Sequence, residues 1–215
     1  MIILEKVDWL PNIPTAMSVS QSLAMLDAIL SPDWQFRYYS FDCAWAKDEM
    51  VASMRNGSGD HYFILFRGTE AILKSFTHER PSGAELSSKV IDALHAVVPK
   101  KFAQFLREPA FALSEISLLA WCSRNDYSWT SVDVQKANGK SVKKSLDLFT
   151  LLCGGANDYK QWAAEYYERS VDLEATDAVF RHVPLSVLHV QRLNPRLSLG
   201  DLVAECAKIG YPIEP

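Results

Sequence analysis

The pattern of apolar and polar residues predicts a sheet of short strands in the first two thirds of the chain. Apolar or alternating segments indicate strands over 34–45, 49–55, 60–67, 71–77, 116–122 and 127–134. Asn56-Gly57-Ser58-Gly59 and Gly68-Thr69-Glu70 separate the three consecutive strands from residue 49 to residue 77. Turns this short connect only antiparallel neighbours, so these strands are expected to form a β-meander.

Helical spacing dominates elsewhere in the sequence. Ser18 is the expected cap of a helix through about Leu30, and two further helices are expected over 84–97 and 99–108. In the C-terminal third the expected helices cover 146–152, 159–168, 176–182, 185–193 and 198–209. The sequence therefore predicts the α+β class: an antiparallel β-meander sheet packed against helices, with a mainly helical C-terminal third. Residues 1–215 are expected to form a single domain, sheet-rich over 34–135 and mainly helical over 145–215.

Composition limits the classes of function. The chain is 48% hydrophobic and 22% charged, as in a globular protein, and its formal net charge is -4. Lysine and arginine are scattered, so no basic stripe favours nucleic acid. No apolar run has the length of a membrane span, and the N-terminus lacks the basic and apolar regions of a signal peptide, so a cytoplasmic protein is expected. The four cysteines are far apart in sequence, and we expect buried thiols.

The turn after Arg55 is open to two interpretations. Its glycines could allow backbone N–H groups to converge on an anion, with Arg55 adding a positive charge. However, a strand follows the turn, whereas the phosphate-binding motifs lead into a helix. The simpler interpretation is an Asn-Gly hairpin turn, since both residues tolerate a positive φ.

Five ionisable residues are predicted to meet at one edge of the meander: Arg55, Asp60, His61, His78 and Glu79. Such a group could supply a general base or a His/carboxylate metal site. Neighbouring residues of a strand point to opposite faces, so Asp60 with His61, and His78 with Glu79, cannot all enter one pocket. The alternative is a solvated, salt-bridged sheet edge.

A second candidate binding surface combines Asp126 with Trp129, an acid and an aromatic residue near a turn. The alternative is that Trp129 belongs to the core. No local signature of a catalytic nucleophile, no paired metal-ligand spacing and no cofactor motif occurs in the sequence. We therefore assign no catalytic residue, metal or cofactor.

The segments MVASMRNGSGDHYFILF, AILKSFTHE, VPKKFAQFLREPAF and LGDLVAECAKIGYP resemble a family of uncharacterised bacterial proteins. The resemblance covers most of the chain and implies a shared fold, but it implies no activity. Members of the family tend to read F-D-H-E-S where this chain has Phe76-Thr77-His78-Glu79-Arg80. His78 and Glu79 match that pattern, whereas Thr77 and Arg80 depart from it, which weakens any proposal that needs an aspartate there.

Three functions remain open from the sequence. The first is a non-enzymatic protein-binding module of the bacterial cytosol, for example an immunity-type protein whose acids face a basic toxin. It predicts an exposed patch of acids and aromatic residues. The second is an enzyme or small-ligand-binding protein that uses the His/carboxylate/Arg cluster, and it predicts a pocket with at least two of those five residues. The third is a subunit of a homo-oligomer; the oligomeric state is not predicted.

Overall fold

A computed structural model describes residues 3–78, 88–123, 128–133 and 147–215. Seven strands in these ranges form one antiparallel sheet, in the order β1-β7-β6-β5-β4-β3-β2. The strands are β1 Leu4–Val7, β2 Tyr39–Ala46, β3 Glu49–Arg55, β4 His61–Arg67, β5 Glu70–Phe76, β6 Leu118–Cys122 and β7 Trp129–Asp133. The predicted meander corresponds to β3 through β5, and β2 extends it, since strands β2 to β5 are neighbours both in sequence and in the sheet.

The described helices are α1 Ile13–Leu30, α2 Ser88–Val97, α3 Ala156–Tyr166, α4 Leu173–Phe180, α5 Val187–Leu193 and α6 Val203–Ile209. Four of these six lie after residue 150, so the mainly helical C-terminal part is confirmed. Ser198 and Asp201, at the start of the predicted helix over 198–209, bond reciprocally as a capping pair. The N–H of Ser198 donates to the Asp201 carboxylate over 2.8 Å, and the N–H of Asp201 donates to the Ser198 hydroxyl over 3.3 Å. The fold class is α+β, as predicted.

The sheet separates two hydrophobic cores. On one face Tyr62, Ile64 and Phe66 pack with α1 and the C-terminal helices. On the other face Phe63 and Leu65 pack with α2 and the segment that follows it. The centre of β4 is therefore buried on both faces, which explains its continuous apolar sequence in an antiparallel sheet, where one polar face is more common.

Helix α1 begins six residues earlier than the sequence indicated. Asn12, not Ser18, is its N-cap, and the Asn12 side chain accepts a hydrogen bond of 3.0 Å from the N–H of Thr15. Of the described helices, α1 alone has the length and apolar composition of a membrane span, and 67% of it is buried inside the protein. A mostly buried helix of this kind is typical of a globular core.

Three predicted elements have a different local structure. Residues 34–36 form a 3₁₀ turn, because the Asp33 carboxylate accepts the N–H of Gln35 and curls the chain before β2 begins. The helix predicted over 99–108 is replaced by 3₁₀ turns at Lys100–Phe102, Phe105–Arg107 and Pro109–Phe111. Their three-residue repeat still buries Phe102 and Phe105. Turns, not a helix, occupy 148–152.

The cysteines are less uniformly buried than predicted. All four are free thiols; Cys122 and Cys206 are buried, Cys43 is half-buried and Cys153 is exposed. The Cys153 thiol lies 3.4 Å from the carbonyl oxygen of Trp9. Cys153 is exposed because it lies in the turn that leads to the α3 cap, outside both cores.

Candidate functional site

The turn between β3 and β4 is organised by the side chain of Asn56. Its amide oxygen accepts the N–H groups of Ser58 (2.9 Å) and Asp60 (3.0 Å), and its amide nitrogen donates to the Asp60 carboxylate over 2.8 Å. Gly57 and Gly59 both have positive φ. The hairpin is confirmed, although the positive φ values fall at Gly57 and Gly59 and not at Asn56, and Asn56 already uses the N–H groups of Ser58 and Asp60.

Asp60 and His78 form a close pair at this edge of the sheet. One carboxylate oxygen of Asp60 lies 2.7 Å from both the backbone nitrogen and the Nδ1 atom of His78. Partial burial tends to raise the pKa of Asp60, but these hydrogen bonds and the one from Asn56 outweigh it, so the pKa is lowered. A Cβ atom on Gly59 would lie 3.3 Å from the Cβ of His78, so the close approach of the two segments favours glycine there.

Arg55 and His61 lie on the opposite face of the sheet. They are cross-strand partners, and Arg55 packs its guanidinium group 5.8 Å from the centre of the Trp34 ring and 5.6 Å from that of Phe63. The predicted convergence therefore divides: Asp60 and His78 meet, whereas Arg55 and His61 are separated from them by the sheet. The alternation of side chains along β4 is the cause.

His61 has an environment that favours its neutral form. Burial lowers its pKa first, and the positive charges of Lys74 and Arg55 lower it further. Its Nδ1 atom lies 3.2 Å from the carbonyl oxygen of Gly59, and its Nε2 atom lies 4.0 Å from the Glu115 carboxylate. Such a histidine is ill-suited to hold a negatively charged ligand at neutral pH.

Trp129 belongs to the core. It is 1% exposed, and its indole N–H donates to the carbonyl oxygen of Pro11 over 2.9 Å. Trp129 thus joins β7 to the segment before α1 and presents no recognition surface. The other residues of the sequence-based candidate surfaces, Glu79 and Asp126, lie outside the described residues.

A cavity of about 580 Å³ opens between α3 and the edge of the sheet where β3 ends and β4 begins. Sheet residues, the turns after residue 146 and one side of α3 surround it. The lining consists of Tyr38, Tyr39, Met54, Asn56, Asp60, Thr77, Asp147, Leu148, Thr150, Leu151, Asp158, Gln161, Trp162 and Glu165. Of the predicted site residues that the structure describes, Asp60 alone is part of this lining.

The cavity is acidic. Four of the described lining residues are Asp60, Asp147, Asp158 and Glu165, and no described lining residue is lysine, arginine or histidine. Asp158 accepts the N–H of Gly155 at the start of α3 over 2.8 Å. Within the described ranges, the carboxylates of Asp147 and Glu165 are exposed and take part in no ion pair or hydrogen bond. Uncompensated negative charge is therefore concentrated at the mouth of the cavity.

Aromatic rings form one wall of the cavity. The Trp162 ring lies 4.9 Å from that of Tyr38 and 5.7 Å from that of Tyr39, in edge-to-face geometry, and it stacks on Tyr166 at 5.1 Å. Trp162 and Tyr166 are one helical turn apart on α3, so both reach the start of β2. We name this wall, Tyr38, Tyr39 and Trp162, together with the four acids, the acidic aromatic cavity.

A buried carboxylate holds the aromatic wall in place. Asp27 of α1 is fully buried and accepts the backbone N–H groups of Tyr38 and Tyr39, both at 2.8 Å, and the hydroxyl of Tyr159 at 2.7 Å. Burial raises the pKa of Asp27 to about 6, against the opposing effect of these hydrogen bonds. Asp27 thus joins α1, β2 and α3 at the base of the cavity.

Sequence reasoning missed Asp27 and most of the acidic aromatic cavity. The acids come from segments far apart in sequence, and the position of Trp162 in the predicted helix over 159–168 is equally typical of a core residue. The sequence held one signal for Asp27. It is the single charged residue in an 18-residue helix, and a charged residue within a buried apolar stripe is unusual. No group of three His, Cys, Asp or Glu residues in the described ranges could hold a metal ion.

No protein-family model, no curated protein and no solved structure matches this chain.

Proposed function

We propose that the protein is a non-enzymatic protein-binding module and that the acidic aromatic cavity receives a lysine or arginine side chain of a basic partner. The observation that carries the proposal is the composition of this cavity: four carboxylates and three aromatic rings, with no cation among the lining residues that the structure describes. An immunity-type protein that neutralises a basic toxin in the bacterial cytosol would use a surface of this kind.

Electrostatics support a cationic ligand. The carboxylates of Asp147 and Glu165 gain from a nearby positive charge, since neither has an ion-pair partner among the described residues. The net charge of -4 adds a long-range attraction that raises the association rate with basic proteins.

The aromatic wall supports the same class of ligand. A cation over the face of a tryptophan or tyrosine ring is attracted by the ring quadrupole, and Trp162 is the ring that binds cations best. The wall is fixed before binding, because Asp27 holds the backbone of Tyr38 and Tyr39. The volume of about 580 Å³ lies in the range of small-ligand sites, so a long side chain can enter.

Isothermal titration with hexa-arginine and hexa-lysine peptides tests the proposal, with hexa-glutamate as the negative probe. Saturable binding of the basic peptides is expected, with weaker binding at high salt. The double variant Asp147→Asn/Glu165→Gln removes two charges that make no hydrogen bond, and we expect at least about tenfold weaker binding.

The matched control is Asp8→Asn/Glu214→Gln, which removes two exposed charges outside the cavity. If the two double variants weaken peptide binding equally, the binding depends on the net charge of the protein and not on the cavity. If the wild-type protein shows no saturable binding, the proposal is rejected. A single blocked amino acid, N-acetyl-arginine amide, serves as a third probe. If it binds as tightly as the peptides, the ligand is a small cation and not a protein.

The alternative is an enzyme or small-ligand-binding protein that uses the His/carboxylate/Arg cluster, and it has narrower support. Asp60 and His78 form a 2.7 Å pair beside the cavity, which is the orienting geometry of a general base. Arg55 and His61, however, lie across the sheet from this pair. His78→Gln distinguishes the two functions: it should leave peptide binding within about twofold if the cavity only binds a cation.

A further inference from the structure

A second concave surface of the protein is positively charged. A cavity of about 540 Å³ opens at the C-terminal end of α1, where the segment after α3 and the loop after α5 meet. Its lining is Leu30, Pro32, Arg169, Asn194, Pro195, Arg196 and Leu197. Two of these described lining residues are arginines and no described lining residue is acidic, in a protein whose net charge is negative.

The two arginines lack counter-charges. Neither Arg169 nor Arg196 takes part in an ion pair within the described parts of the chain. A neighbouring arginine shows the contrast: Arg37 donates to the carbonyl oxygens of Ser31 (2.9 Å) and Pro32 (2.8 Å) and pairs with Glu205 at 2.9 Å. Arg37 is neutralised, whereas the cavity concentrates two positive charges.

Arg169 is held in position but is only partly satisfied. One terminal nitrogen donates to the carbonyl oxygen of Leu30, and the guanidinium group lies 5.8 Å from the centre of the Tyr167 ring. Its Nε–H group is buried and finds no acceptor among the described residues. Burial lowers the pKa of Arg169, and the positive charge of Arg196 lowers it further. An oxyanion bound beside the two guanidinium groups would relieve the repulsion between them.

The loop that carries Arg196 is fixed by Asn194. This residue is 5% exposed; its side-chain nitrogen donates to the carbonyl oxygen of Ile29 over 2.7 Å, and its side-chain oxygen accepts the N–H of Arg196 at 3.2 Å. The backbone carbonyl of Asn194 also accepts the N–H of Leu197 at 3.1 Å. The backbone of Arg196 therefore needs little ordering when a ligand binds, which lowers the entropic cost.

We propose that this cavity binds a phosphoryl group, held between the guanidinium groups of Arg169 and Arg196, which both line it. Arginine presents a planar fork of donors that matches phosphate oxygens, and a phosphoryl group carries the double charge that two arginines balance. The site is independent of the acidic aromatic cavity and of the function proposed for it. The phosphoryl group can come from free phosphate or from a larger phosphorylated molecule, and the volume of the cavity accommodates either.

Isothermal titration with inorganic phosphate, pyrophosphate and AMP, in a buffer free of other oxyanions, tests the proposal. Saturable binding at millimolar or lower concentration is expected for at least one probe. Arg196→Gln should weaken it at least about tenfold, as expected for the loss of a charge-assisted hydrogen bond. Arg169→Lys keeps the charge but loses the fork, and it should also weaken binding.

The control variant is Arg181→Gln, which removes the same charge from an exposed residue paired with Asp177. It should change the affinity by less than about twofold, since screened surface charges contribute little. Tighter binding of AMP than of phosphate identifies a larger molecule as the source, and equal binding identifies the free ion. No saturable binding by the wild-type protein, or equal effects of Arg181→Gln and Arg196→Gln, would overturn the proposal.

Discussion

Asp27 should make the stability of this protein depend on pH in a way opposite to that of most carboxylates. Its pKa is about 6 in the folded protein and 3.8 in the reference state without burial. The folded state therefore binds the Asp27 proton more tightly than the unfolded state does. The resulting stabilisation is complete below pH 3.8 and is lost as the pH rises to about 6.

The magnitude follows from the difference between the two pKa values. Each unit corresponds to about 1.4 kcal/mol, so the whole change is about 3 kcal/mol, of which about 2 kcal/mol falls between about pH 4 and pH 7.5. No discount for solvent screening applies, because Asp27 is fully buried. A contribution of this size is a large part of the stability of an ordinary domain.

Urea denaturation of the wild-type protein and of Asp27→Asn, measured from pH 4 to pH 8, provides the test. Asparagine can accept the N–H groups of Tyr38 and Tyr39 and donate to the hydroxyl of Tyr159, but it does not titrate. The free energy of unfolding of the wild type, relative to the variant, should therefore decrease by about 2 kcal/mol across this range.

Asp8→Asn is the matched control, because Asp8 is exposed. Its stability curve should run parallel to that of the wild type. Parallel curves for Asp27→Asn and the wild type would refute the reasoning, since they would place the pKa of Asp27 near its unfolded value. Asp27→Ala, which removes the acceptor altogether, should cost about 3 kcal/mol or more at neutral pH.

Three further substitutions test the packing around the two cores by urea denaturation. Gly57→Ala places its Cβ atom in open space and should lower the free energy of unfolding by about 1 kcal/mol because of the positive φ. Gly59→Ala should lower it by more, because a Cβ atom on Gly59 also presses on His78. Equal losses of stability would contradict this contact. Lys74→Met should cost about 2 to 4 kcal/mol, since the buried ammonium group donates to two backbone carbonyls of a neighbouring loop at 2.9 and 2.7 Å. Trp129→Phe should lower the free energy of unfolding by about 1 to 3 kcal/mol and leave peptide binding unchanged. Altered peptide binding would indicate that Trp129 belongs to a binding surface and not to the core.

The meander was predictable because its signals are local. Each strand from β3 to β5 is bounded by a turn that glycine or asparagine makes possible, and the predicted bounds agree with the observed ones to within one residue. The region after α2 was not predictable in the same way. Phe102 and Phe105 are spaced for a helix or a 3₁₀ turn alike, and their packing against the sheet decides between the two.

The predicted site is divided between two faces of the sheet because side chains alternate along a strand. Proximity along an edge was correctly inferred for Asp60 and His78, whereas the face on which His61 lies separates it from them. The acidic aromatic cavity could not be predicted from the sequence, because its formation depends on how α3 packs over the sheet. A tryptophan such as Trp162 satisfies the pattern of a core residue whether its free side meets the interior or a ligand.

The pairing of β1 with β7 has a consequence for the order of folding. Leu4 pairs with Val132, far away in sequence, while every pairing from β2 to β5 joins neighbours through a short turn. Closing a long loop costs entropy before any contact is gained, so the hairpins should form early and β1 should dock last. In native-state hydrogen exchange we therefore expect the amides of β1 to exchange through a local opening, well before those of β4.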